Sequence, residues 1–177
     1  MSQLIYAFAA VAISAVLTIQ FFAGSQATRL ETHQSEILTQ VGAVAGEMFE
    51  EIGRRAFDHR TRDDLFESPP FSPADLTSSR SFGGIPLELC QEQCLDVDDF
   101  HRLTFVREAG GFEFTVRVTV RYVDADNPER WLRGQSFAKE VVLTITNPNI
   151  HLPNEPDRLI PIEIGRVFTH QRTPQAA

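Results

Sequence analysis

From Met1 to Thr28 the chain carries no charged side chain, and Leu4 to Ala23 (LIYAFAAVAISAVLTIQFFA) is a nearly unbroken apolar run of twenty. That is enough helix to cross a bilayer. No proline separates this run from a second pattern, in which Leu30, Ile37, Val41, Val44, Met48 and Ile52 mark one stripe of a helix. Together they predict a single helix of about 55 residues, roughly 80 Å long, apolar over residues 1–28 and amphipathic over 29–58. It ends near Phe57 or Asp58, where DHRTRDD breaks the stripe. Gly42 and Gly46 have small-xxx-small spacing, which reads either as a close-approach site for another helix or as a local loosening.

Residues 59–100 predict an irregular segment, with prolines clustered in ESPPFSPAD and further breakers at Gly83, Gly84 and Pro86. Phe66, Phe71 and Phe82 are expected to fasten it to the domain. Strand patterning begins at about His101. HRLTFVRE, the turn Ala109-Gly110-Gly111, and FEFTVRVTVRYV read as a hairpin whose second arm alternates apolar and polar positions. FAKEVVLTITNP resumes the pattern with Val141, Leu143 and Ile145 in phase. RLIPIEIGRVF is a last strand that Pro161 confines to an edge. The expected architecture is α+β: the long N-terminal helix packed on a small antiparallel sheet of roughly three to five strands. Its helix-to-sheet core is Val41, Val44, Met48, Ile52, Phe114, Val116, Val118 and Val120. The β domain spans 101–170, and 171–177 is a tail.

Charge and composition narrow the function classes. A formal net charge of -8 on 177 residues argues against a nucleic-acid surface. Lys139 is the single lysine among 16 basic residues. No nucleophile elbow, phosphate loop or HExxH motif is present, and the histidines are scattered, so the chain reads as no enzyme. Cys90 and Cys94 are expected to pair in an oxidising compartment; free thiols or a link to a neighbouring subunit are the alternatives. Because an ideal helix meets disulfide geometry poorly at this spacing, a bridge implies a turn. Asp96, Asp98 and Asp99 form the one dense acidic site, a calcium candidate whose plain alternative is a solvated turn or a helix cap. No other cofactor is expected.

The apolar-then-amphipathic helix, the one-sided sheet, and DVDDFH (Asp96 to His101) ahead of the VRVTVRYVD and KEVVLTITNP strands resemble the type IV pilin superfamily of pilins, minor pilins and secretion pseudopilins. The local segment is most similar to minor pilins of mannose-sensitive haemagglutinin systems. Ile5 stands where that family has a Glu, and no basic leader precedes Met1. The resemblance implies a structural filament subunit. Its partners would be copies of itself or homologous subunits and the pilus assembly machinery, and the membrane would hold it before assembly. Such a protein is a single-pass membrane protein first and part of a surface filament afterwards. Ile5, Ala9, Ala12, Val16 and Ile19 would pack the filament core, since an apolar helix leaves lipid only for an equally apolar bundle. The competing expectation is a membrane-tethered extracytoplasmic binding module that does not polymerise.

Overall fold

The computed structural model describes residues 35–62, 72–152 and 155–170, together with Ser14 and Thr18. Contacts divide the chain into two compact units, Met1–Thr39 and Gln40–Ala177. In the first, Ser14 and Thr18 are helical, and the Thr18 hydroxyl donates to the Ser14 carbonyl at 2.8 Å. Apart from residues 35–39, the account below concerns the second unit.

Helix α1 occupies residues 35–53. The expectation of one long helix, membrane-spanning and then amphipathic, is corrected by the structure. Among the described residues no helix is long and apolar enough to cross a membrane, and the fold is mostly sheet. The physical reason lies in the composition of α1, whose faces carry Glu36, Glu47, Glu50 and Glu51. The same finding corrects the expectation of a single-pass membrane protein. Residues 1–28, on which that expectation rested, lie outside the described residues except for Ser14 and Thr18. The end of α1 falls short of Phe57 because the backbone finds other partners. Arg55 N–H donates to the Ile52 carbonyl, and Ala56 then exchanges hydrogen bonds with Leu95 and Val97.

The main sheet is antiparallel, in the order β1-β2-β3-β6, from β1 (Thr104–Ala109), β2 (Phe112–Tyr122), β3 (Ala138–Thr146) and β6 (Ile162–Thr169). Gly110 and Gly111 join β1 to β2 with φ of 58° and 78°, the conformation a two-residue hairpin loop requires. Pro161 lies just outside β6, which is an edge strand and tolerates a missing donor beside it. A separate hairpin, β4 (His151–Leu152) with β5 (Glu155–Leu159), fills the connection from β3 to β6.

One face of the sheet is apolar. Val116 pairs with Ile145, Val118 with Leu143, and Val120 with Val141, and all six are essentially inaccessible to solvent. Helix α1 covers this face with Val41, Val44, Ala45, Met48, Phe49 and Ile52, all buried. Contacts to both edges fix its placement: Phe49 packs on Phe168 of β6, and Glu51 accepts from Arg107 of β1 at 2.9 Å. Beyond α1 the chain passes through short 3-10 turns and helix α2 (Cys90–Gln93), which close the end of the sheet near Tyr122 with buried Leu76, Phe82, Val97 and Phe100.

Candidate functional site: the buried Lys139 cluster

Lys139 belongs to the inward phase of β3, with Val141, Leu143 and Ile145, and pairs with Tyr122 across the sheet. Its side chain has no exposed surface. A buried ammonium is costly unless paired and hydrogen-bonded, and four parts of the chain converge to meet it. The exit of α1 brings Phe57 and Asp58. The Phe57 carbonyl accepts from Nζ at 2.8 Å, and Asp58 Oδ2 accepts at 2.7 Å. A 3-10 turn, Val97–Phe100, brings Asp98, whose Oδ1 lies 2.5 Å from Nζ. The rings of Phe57, Tyr122 and Phe82 stand around the ammonium with centroids at 4.4, 5.2 and 5.3 Å, within cation–π range.

The two carboxylates differ sharply in surroundings. Asp58 caps the 3-10 turn His59–Thr61 and accepts from Arg60 N–H, Thr77 N–H and the Thr77 hydroxyl. The Tyr122 hydroxyl donates to the Thr77 carbonyl at 2.7 Å, with Asp58 Oδ2 3.2 Å away. Burial alone would raise the Asp58 pKa, but the charge and hydrogen bond of Lys139, joined by these donors, hold it below the ordinary carboxylate value. Asp98 has no such support. Nζ meets Oδ1 as a close ion pair, and beyond Lys139 neither Asp98 oxygen has a hydrogen-bond donor among the described residues. Burial pushes the Asp98 carboxyl up to about 8, and the opposing charge of Lys139 offsets this only in part. Burial and the nearby Asp58 charge also push the Tyr122 hydroxyl upward.

The acidic segment therefore has three separate tasks. Asp96 Oδ1 accepts from the N–H groups of Asp98 and Asp99, and Asp99 Oδ2 accepts in return from Leu95 and Asp96, a reciprocal capping box. Burial, then the Asp99 charge, raises Asp96 to about 6. Asp98 faces Lys139. Among the described residues no group of three or more His, Cys, Asp or Glu side chains is placed to hold a metal ion. Cys90 and Cys94 are joined as a disulfide, with Cα atoms 4.6 Å apart, across the single turn of α2. Val41, Val44, Met48, Ile52, Phe114, Val116, Val118 and Val120 are all buried. Ile5, Ala9, Ala12, Val16 and Ile19 lie outside the described residues.

Sequence reasoning did not single out Asp58, Thr77, Tyr122 or Lys139 as a site. For Lys139 a signal was present, because the chain's one lysine is spaced by two from Val141 and so shares its face. Asp58 and Thr77 carried none, as their role depends on a loop returning to the exit of α1. On the opposite face Arg121 bonds Glu140 at 2.6 Å and lies 3.8 Å from the ring centroid of Trp131, which is 66% exposed. Comparison with family models, curated proteins and solved structures found no match to this chain.

Proposed function

We propose that this chain is a structural subunit of a type IV pilus-like or pseudopilus filament, assembling through its apolar N-terminal segment with copies of itself or homologous subunits. The observation that carries this reading is an amphipathic helix laid over the apolar face of a one-sided antiparallel sheet, in a chain whose first 28 residues carry no charge. Helix α1 satisfies the sheet, so the domain has no further need of the uncharged stretch. That stretch requires apolar partners of its own, and small residues such as Ala9 and Ala12 suit close packing between apolar segments. The subunit acts by assembly and turns over no substrate.

The test is Ala12→Asn in the full chain, produced together with its assembly partners. Electron microscopy of sheared material is expected to lose filaments, while the circular dichroism of the domain is unchanged. Wild-type protein that stays monomeric in that setting would sink the reading. A second reading, a binding module that does not polymerise, is favoured by Trp131, an exposed aromatic held in place by Arg121. It predicts that the monomer is the working form.

A further inference from the structure

The chemistry gathered at Lys139 goes beyond charge pairing. An amine, a carboxyl group with no donor besides that amine among the described residues, and a second carboxylate well supplied with donors are held together in a site walled by three aromatic rings. Lys139 and Asp58 have no exposed side-chain surface, and Asp98 only 4%. A buried carboxyl with no donor is carried more readily as the neutral acid than as the anion. The neutral acid is also the form whose carbonyl carbon accepts a nucleophile. Asp58, by contrast, is hydrogen-bonded as an anion, and its Oδ2 already accepts from Nζ at 2.7 Å, which gives a proton leaving the amine a direct path.

We propose that Lys139 and Asp98 condense into an intramolecular amide, with Asp58 as the proton acceptor that frees the amine. The Lys139 ammonium gives one proton to Asp58. The neutral Nζ attacks Cγ of the Asp98 acid, forming the C–N bond and a tetrahedral centre. A second N–H proton is lost to that centre through Asp58 as the C–O bond breaks, and the hydroxyl leaves as water. The starting ammonium, neutral acid and carboxylate become an amide, one water and a protonated Asp58, so atoms and charge balance without an external oxidant or co-reactant.

Two features favour the forward direction. The fold holds the reacting groups at contact distance, which replaces a bimolecular encounter by a step within one molecule. The rings of Phe57, Phe82 and Tyr122 keep bulk water from reversing the reaction. The bond would tie the 3-10 turn before β1 to the start of β3, whether or not the chain polymerises. It does not rest on the filament reading.

Lys139 being the single lysine makes the test clean. The full chain is folded, then reduced, denatured and treated with a lysine-specific protease, in parallel with intact-mass measurement. The expected result is a chain short by the mass of one water and resistant to cleavage, with a cross-linked peptide joining Asp98 to Lys139. Asp98→Ala is expected to restore the full mass and a single cut after Lys139. Asp58→Asn is expected to slow water loss during refolding at least tenfold. Folded wild-type chain with the full mass and a cut at Lys139 would overturn the proposal, as would a cross-link mapped to Asp58. The wild-type measurement decides the matter even if a variant fails to fold.

Discussion

At residue scale, positions around the cluster are fixed by backbone as much as by side chains. Gly83 adopts φ +74, donates its N–H to the Asp98 carbonyl at 3.0 Å, and lies so close to the His101 carbonyl that a Cβ would collide with backbone. His101 in turn accepts the Val120 N–H on Nδ1 at 3.0 Å, which requires that nitrogen to be unprotonated. Burial, and then the Arg102 charge, lower the His101 pKa. The unfolded chain therefore binds this proton more readily than the folded one. The contribution is complete above the ordinary histidine value of about 6.5 and is lost as pH falls from there towards the lower folded value. Urea unfolding over a pH series is expected to show wild type losing stability across that window relative to His101→Gln, which keeps an acceptor but does not titrate. Equal slopes would reject this account. None of these contacts was legible in the sequence, because each depends on a loop meeting a strand far along the chain.

Among the elements, the strands were the most legible and the helix the least. Strict alternation from Phe112 to Tyr122 marks β2 because its side chains face either α1 or solvent, and Gly110-Gly111 marks the hairpin by its positive φ. The helical stripe predicted α1's buried face, but periodicity carries no information on where a helix yields to a bridge such as Ala56 with Asp96. The loop escaped for a different reason, since turns of three or four residues are too short to have a period. Their signature is the capping pair three residues apart, as in Asp58 with Thr61, Ser72 with Asp75, and Asp96 with Asp99. Read that way, the acidic segment is a helix start. Gly42 and Gly46 are exposed, with open space where a Cβ would be. Gly46→Ala is therefore expected to stabilise the isolated domain by about 0.5–1 kcal/mol, read from the shift in urea midpoint. A loss of stability would mean that the position is packed.

For the molecule as a whole, the buried cluster is costly to break by removing one partner. Replacing Lys139 by Met leaves the Asp58 carboxylate buried without its cation. Measured against Asp98→Ala, which keeps the Lys139–Asp58 ion pair and cannot form the amide, chemical denaturation is expected to register a loss of about 3–5 kcal/mol. A Lys139→Met chain as stable as that reference would refute this. A further consequence concerns registration between strands. The inward residues of β2 and β3 are nearly all Val, Leu, Ile or Phe, so sliding one strand by two positions returns apolar groups to the same face. Hydrophobic alternation cannot distinguish those frames, whereas a slip of one position is already forbidden. Lys139 removes the ambiguity. A displaced frame carries its ammonium away from Asp58, Asp98 and the Phe57 carbonyl, opposite Val120 for a slip of two one way and past the end of β2 for a slip the other way. The lone lysine thus works as an index mark, selecting one alignment of the sheet from several that oil-like packing alone would accept.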